Sequence, residues 1–186
     1  MSPGRLYLIR HGRTAGNRVR YVGWGDEPLD EVGYEQARAL AGQLADDPID
    51  VVYASPLSRA LDTARPLAEA HGAPLHVREE LNEINYGAYQ DILKADRKLK
   101  VRRNHRTQRM PGGESLRDVY DRVAVVHADV EAERHAGRNV AVVAHFWSLR
   151  MLAGQVDGLA FDEVLARDDY SPRNGVVTTR FGTAAP

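Results

Sequence analysis

The sequence predicts an α/β protein in three layers, with helices on both faces of a mostly parallel sheet. Three observations predict it. Apolar, β-prone runs alternate along the chain with stretches of helical periodicity. The run 139–144, Asn-Val-Ala-Val-Val-Ala, is apolar after its first residue, as expected of a central strand covered on both faces. Several such runs also stop abruptly in polar or cationic residues, and strand ends are where α/β sheets place ligand-binding groups.

The elements follow in order. Residues 6–9, Leu-Tyr-Leu-Ile, form a strand ending in Arg10-His11-Gly12. The glycine is expected to let the backbone turn and approach a ligand. A long polar loop runs from Arg13 to Asp30, and Asp30 can N-cap a helix over 31–45. Residues 49–54 form a second strand. It breaks at Ser55-Pro56, with Ser55 expected as N-cap and Pro56 in the first turn of a helix ending at His71 and Gly72. A short strand is expected over 74–78 and a strand-to-loop segment over 81–87. Residues 91–109 hold eight basic residues against two acidic ones, a local charge of +6 in a chain of net charge −1. This segment reads as a partly helical excursion over the sheet edge, within a cap spanning about 85–112. A turn at 111–115 starts a helix over 116–135, the strand 139–144 ends at His145, and helices follow over 148–156 and 161–165. A last strand over 175–181 is expected at an edge, with a frayed tail over 182–186.

Composition narrows the class. A chain of 186 residues with 43% hydrophobic and 27% charged residues is expected to form one soluble domain, 1–186. The near-zero net charge gives no global field for nucleic acid or membrane surfaces. No run approaches the length of a bilayer span, and no signal peptide is read at the N-terminus. Cysteine is absent, which removes disulfides, thiolate nucleophiles and cysteine metal sites. A cytoplasmic location is expected. Partners are expected to be a small phosphorylated substrate, with no nucleic acid and no membrane, and a homodimer is left open.

Three predicted strand ends now meet at one edge: Arg10-His11, the 55–59 segment with Arg59, and His145, with Glu83 opening a loop that can join them. Guanidinium pairs with phosphate oxygens through paired hydrogen bonds. One histidine can attack a phosphoryl group, two arginines and a second histidine can hold its oxygens, and a glutamate can move the proton. Glu27 and Glu80 compete with Glu83 for that last role. Two histidines also suit zinc, but the arginines beside them repel a dication and no carboxylate cluster accompanies them.

The motifs Leu8-Ile9-Arg10-His11-Gly12-Arg13-Thr14 with Asn17, Ser55-Pro56-Leu57-Ser58-Arg59-Ala60, Leu81-Asn82-Glu83, Pro111-Gly112-Gly113-Glu114-Ser115 and Val143-Ala144-His145 resemble, in order, the histidine phosphatase superfamily, which includes the phosphoglycerate mutases. The resemblance covers nearly the whole chain. It implies a phosphoglycerate mutase-like fold and a phosphohistidine on His11. It implies a phosphate pocket of Arg10, Arg59 and His145, with Glu83 as the proton donor. Asn17 would assist phosphate binding, and Gly12 and Thr14 would belong to the phosphate-binding loop and shape it. Neither a metal nor a cofactor is implied.

The sequence departs from the family pattern in two places. Phe146 and Trp147 stand where a glycine commonly follows the second histidine, and Tyr89-Gln90-Asp91 replaces a common Trp-Glu-Gly. Both differences concern substrate contacts. The aromatics can narrow the pocket or stack on a substrate ring, with Trp24, Tyr86 and Tyr89 as further candidates for its wall. The basic segment can attract a sugar phosphate, a phosphorylated acid or a nucleotide. Family mutases carry a longer insertion between the glutamate and the Pro-Gly-Gly-Glu segment, so the expectation is phosphomonoester hydrolysis. Mutase-type phosphoryl transfer and a non-catalytic phosphate sensor are the alternatives.

Overall fold

In β1 (Leu6–Arg10) Leu6 and Leu8 pack into one apolar core, and Tyr7 and Ile9 into another. Successive side chains of a strand point to opposite faces, so a strand apolar at every position needs a cover on both. The computed structural model, which describes residues 2–96, 100–167, 173–175 and 177–180, supplies both covers. Arg97 and Lys98 of the expected basic cap, and the tail 182–186, lie outside the described residues.

Parallel pairs join β1 to β4 (Val140–Ala144), β4 to β2 (Val51–Ala54), and β2 to β3 (Leu75–Val77). The order across the sheet is β3-β2-β4-β1-β5, with β5 (Val177–Arg180) antiparallel on the outer side of β1. The run expected to be central is central, and all five of its residues are fully buried. Each of its valines contributes roughly 1.5–3 kcal/mol through burial. Helices α1 (Glu31–Gln43) and α2 (Ser58–His71) supply Leu40, Ala64, Leu67 and Ala68 to the core under Tyr7 and Ile9. On the other face, α4 (Leu116–His135), α5 (Phe146–Val156) and α6 (Phe161–Ala166) pack Val119, Val123, Leu149, Leu152 and Val164 against Leu6 and Leu8. A short α3 (Val101–Asn104) lies in the basic segment. No helix among the described residues is long and apolar enough to cross a membrane.

Several boundaries differ from expectation. Helix α2 starts at Ser58, and its N-cap position is Leu57, without a side-chain cap. Ser55 lies upstream, where its hydroxyl accepts from Leu57 N–H at 3.3 Å. Helix α5 starts at Phe146, two residues early, because His145 occupies the cap position. The segment expected to pass from strand to loop over 81–87 has no strand and is irregular, between 3-10 turns at Glu79–Leu81 and Gly87–Tyr89. Leu81 and Ile84, three residues apart, are both fully buried, while Asn82 and Glu83 between them face elsewhere. That spacing belongs to a tight turn rather than a strand.

Two connections steady the loop after β1. The backbone of 19–21 is stitched to the start of the cap: Tyr21 N–H donates to the Ile92 carbonyl (3.0 Å), Asp91 N–H to the Tyr21 carbonyl (2.8 Å) and Lys94 N–H to the Val19 carbonyl (2.8 Å). Nearer the strand, Gly12, Arg13 and Gly33 pack backbone against backbone. A Cβ on Gly33 would stand 2.1 Å from the Arg13 carbonyl oxygen, and one on Gly12 would stand 2.6 Å from the Gly33 oxygen. Gly12 is therefore required for close contact with α1. Asp30 caps the same helix by accepting from Gly33 N–H at 2.9 Å and pairs with Arg13 at 2.7 Å.

Gly33→Ala is expected to destabilise the protein by about 1–3 kcal/mol, because the backbone must shift to admit the methyl. Gly42→Ala in the same helix meets nothing within 4 Å. It should be neutral or stabilising by about 0.5–1 kcal/mol. Urea unfolding of both variants checks the contrast; equal effects would refute the packing argument.

Candidate active site

Parallel pairing places the C-terminal ends of β1, β2 and β4 at one edge, and the ladder runs one residue beyond each strand. His11 N–H donates to the Ala144 carbonyl (3.0 Å), and Ser55 N–H donates to the Val143 carbonyl (3.2 Å). His11 and His145 thus emerge side by side, with ring centroids 5.0 Å apart at 55°. Both are buried.

The Nδ1 of His11 lies 2.7 Å from the Gly12 carbonyl oxygen. A carbonyl only accepts, so Nδ1 carries the hydrogen and the lone pair of the neutral ring sits on Nε2. His145 is fixed at the opposite nitrogen. Its Nε2 lies 2.9 Å from Ser55 Oγ, and that hydroxyl donates to Asn82 Oδ1 at 2.7 Å. Ser55 therefore accepts from His145 Nε2–H, and Nδ1 of His145 is buried without a hydrogen-bond partner among the described residues. Burial, then the Arg59 and Arg10 guanidiniums, push the His11 imidazole well below its ordinary range. His145 is lowered in the same direction by burial, Arg59, His11 and Arg10. Both rings are neutral without an anion.

Arg59 is brought up by the first turn of α2 and is 2% exposed. Its two terminal nitrogens donate to the Gly25 and Gly23 carbonyls, each at 2.7 Å, so it clamps the loop while each nitrogen keeps a second N–H. The Arg10 guanidinium lies over the Phe146 ring, 5.5 Å from its centroid. Burial lowers both guanidiniums, and the Glu83 charge offsets part of that lowering. Neither side-chain polar atom of Asn17 has a partner among the described residues, although both are buried.

Glu83 reaches the same place from the turn after β3. Its Oε1 accepts from Ile84 N–H (3.1 Å) and Trp147 N–H (2.9 Å), and its Oε2 from Phe146 N–H (3.1 Å). The carboxylate thus rests on the N-terminus of α5, where orphan amides and the helix dipole favour an anion. Arg10, His11, Asn17, Arg59 and Glu83 all line one cavity of about 620 Å³; His145, its ring 5.0 Å from that of His11, is not among the lining residues.

The other expected residues are placed elsewhere. Thr14 and Gly12 do not line the cavity. The Thr14 hydroxyl donates to Glu27 Oε2 at 2.8 Å, and Gly12 N–H donates to Thr63 Oγ1 at 3.0 Å, so both act on the loop's shape. Glu27 is occupied by Thr14, Gly16 N–H and Arg20, and Glu80 is held by Arg78. Of the three glutamates weighed for proton transfer, Glu83 alone lines the cavity. Tyr86 lines it, whereas Tyr89 and Trp24 do not. Among the described residues no cluster of three or more His, Cys, Asp or Glu could hold a metal ion.

Sequence reasoning missed the supports. Trp24 Nε1–H donates to the Glu83 carbonyl at 2.6 Å, and Arg122 Nη2 donates to the same oxygen at 2.9 Å. Arg122 also pairs with Glu114 at 2.8 Å, and Glu114 accepts from Asn85 N–H at 2.8 Å. An arginine in the middle of a long helix carries no local signal for this work. The Pro-Gly-Gly-Glu-Ser turn did carry one, since its Glu114 is the other half of the clamp.

A family model described as the histidine phosphatase superfamily, branch 1, matches residues 6–171. The chain is 37% identical over 171 residues to 2,3-bisphosphoglycerate-dependent phosphoglycerate mutase 2 of Gloeobacter violaceus, covering 86% of this chain and 78% of that one. It is 34% identical over 157 residues to phosphoserine phosphatase 1 of Hydrogenobacter thermophilus, covering 80% and 74%. A mycobacterial glucosyl-3-phosphoglycerate phosphatase solved with VO3 shares the fold with a TM-score of 0.80 and 32% identity, over 95% of this chain and 92% of that one. Matched along nearly its whole length, and carrying two buried histidines among arginines at one sheet edge, the chain belongs to the histidine phosphatase superfamily.

Proposed function

We propose that the protein is a phosphomonoesterase that works through a phosphohistidine on His11. The observation that carries this reading is the tautomer of His11: Nδ1–H is tied to the Gly12 carbonyl, so the nucleophilic lone pair is on Nε2 of a ring buried beside two guanidiniums. In the first step Nε2 attacks phosphorus and the ester P–O bond breaks. Glu83 gives its proton to the leaving alcohol. In the second, water attacks phosphorus, Glu83 takes a proton from it, the P–N bond breaks and orthophosphate leaves. Arg10, Arg59, Asn17 and His145 hold the phosphoryl oxygens and neutralise their growing charge. The arginines supply the positive charge that the chemistry needs, so no metal is invoked.

Hydrolysis rather than transfer is supported by the short span from Glu83 to Pro111 and by the exposure of Lys100 and Arg103 at the cavity mouth, where water can enter. The identity with a phosphoglycerate mutase favours the second reading, in which the phosphoryl group returns to the substrate. Release of orthophosphate from a phosphorylated acid, against migration within it, separates the two. The VO3 complex of the mycobacterial phosphatase supports a phosphoryl-binding pocket in this fold, and vanadate is expected to inhibit here.

His11→Asn should lower p-nitrophenyl phosphate hydrolysis by about 10⁴-fold or more and abolish acid-labile phosphorylation of the protein. Undiminished release would remove His11 as nucleophile. No release by the wild type across a broad panel would favour a phosphate sensor. Glu83→Gln should slow hydrolysis of alkyl phosphates by about 10²–10⁴-fold. It should slow p-nitrophenyl phosphate much less, because that leaving group needs no proton. Equal losses on both would refute the acid role.

A neutral His11 also has a thermodynamic signature. Folded, both imidazoles titrate well below 6.5; unfolded, they titrate near it. Between those values the unfolded chain binds more protons, so stability falls as pH drops below about 6.5 and is regained on returning to neutral. Urea unfolding from pH 7 to 5 should show this fall. It should flatten in the His11→Gln variant, and an unchanged slope there would contradict the burial argument.

A further inference from the structure

The cavity in front of His11 is much larger than a phosphoryl group requires, and the residues that line the rest of it are of two kinds. We propose that the natural substrate is a phosphomonoester whose alcohol carries a ring with apolar faces and, beyond it, a second anionic group. This inference rests on the phosphomonoesterase reading above and names its substrate class.

Size comes first. A volume of about 620 Å³ falls in the range of sites that enclose drug-sized ligands. Arg10, His11, Asn17 and Arg59 account for the phosphate end. A three-carbon phosphoacid would leave most of the remaining space to water.

The wall comes second. Tyr21, Tyr86, Val101, Phe146 and Trp147 line the cavity, and no serine, threonine or glutamine does so among the described residues. The lone amide side chain, Asn17, lies at the phosphate end. A polyhydroxylated body would bury hydroxyls with few partners, at a cost for each one left unsatisfied. A ring with apolar faces loses nothing there and gains from leaving water. Phe146 is the distinctive member. It fills the position after His145, is partly exposed, and is held edge-on by Trp147 with ring centroids 5.0 Å apart.

The rim comes third. Five cations outside the phosphate end can be sorted by what they already bind. Lys94 donates to the Asn17 carbonyl, Arg20 pairs with Glu27 and Asp91, and Arg102 donates to the Leu165 carbonyl. Lys100 and Arg103 line the cavity too, and their exposed side chains engage no carboxylate among the described residues. Lys100 immediately precedes α3 and Arg103 lies within it, so one short element of the cap presents both. Two cations that engage no carboxylate, in a cavity with apolar walls, suit a carboxylate or second phosphate on the ligand beyond its ring.

The test uses phosphomonoesters that share an alkyl leaving oxygen: propyl phosphate, phosphooxypropanoate, benzyl phosphate and para-carboxybenzyl phosphate. Affinity is measured calorimetrically on His11→Asn, and kcat/KM on the wild type. The ring should improve binding and kcat/KM by about tenfold or more. The carboxylate should add about fivefold at low ionic strength, shrinking as salt is raised. Phe146→Leu should reduce the ring advantage, read as the ratio of benzyl to propyl phosphate. Lys100→Ser with Arg103→Ser should erase the carboxylate advantage and leave benzyl phosphate unchanged. Preference for the three-carbon acid, or a ring advantage untouched by Phe146→Leu, would overturn the proposal while leaving hydrolysis standing. The expected binding order without turnover by the wild type would support the ligand class and sink the phosphatase reading instead.

Discussion

The parallel register of β1 on β4 is the constraint on which the rest of the site depends. Arg10 stands opposite Ala144, and the next residue of each strand is a histidine. Side chains alternate along a strand, so a slip of one residue would send one imidazole to the other face of the sheet. The register is secured by burial on both sides, since Leu8 and Val142 enter one core and Ile9 and Val143 the other. The apolar sandwich therefore does more than stabilise the fold. It brings two imidazoles within 5.0 Å without any contact between them having to provide the energy.

That placement creates an electrostatic imbalance. Two arginines converge on two histidines with one carboxylate nearby, all largely removed from water. The imidazoles respond by staying neutral, and the guanidiniums are themselves depressed by burial. Buried like charges cost stability unless a counter-charge joins them. In the function proposed above a dianionic phosphoryl group would supply that charge, in a pocket whose walls are braced by the protein itself. Arg59 is braced by the carbonyls of Gly23 and Gly25, and Glu27 ties together Thr14, Gly16 and Arg20 in the same loop. Asn17, whose side chain is buried and unpartnered among the described residues, sits at the centre of that loop with nothing to bind except a ligand.

How much of this was legible in the sequence follows from the range of the forces involved. Strand periodicity and the polar strand ends are local, so the layers, the central run and the convergence of Arg10, His11, Arg59 and His145 could be read directly. The family resemblance singled out Glu83, and the fold supplies the physical reason, since of the three glutamates Glu83 alone lines the cavity. Ser55 was misread for a physical reason. Its residue type and the following proline satisfy the local rule for a helix cap, and its hydroxyl does accept from Leu57 N–H at 3.3 Å, but the helix opens only at Ser58 and the same hydroxyl also serves a buried imidazole and Asn82. The resemblance implied that Gly12 and Thr14 shape the loop, but not the partners they do it through, Gly33, Thr63 and Glu27, which are distant along the chain. Arg122 was invisible because nothing in a helical pattern says which carbonyls a long side chain will reach.

The residues after His145 show how specificity can change while chemistry is kept. Their backbone N–H groups hold the Glu83 carboxylate, and an amide offers the same hydrogen bond whatever side chain it carries. Oε1 accepts two of these bonds and Oε2 only one, so Oε2 has the freer lone pair for a proton bound for a leaving group. Glycine is common at the first of these positions in the family, and Phe146 leaves this arrangement of amides in place. Its ring points instead to Arg10 and into the cavity. One short stretch of helix thus serves two masters: the backbone orients the acid, and the side chains shape the space for the alcohol. On the reading proposed above, substitutions at Phe146 would change the fit of the alcohol and leave these amides in place.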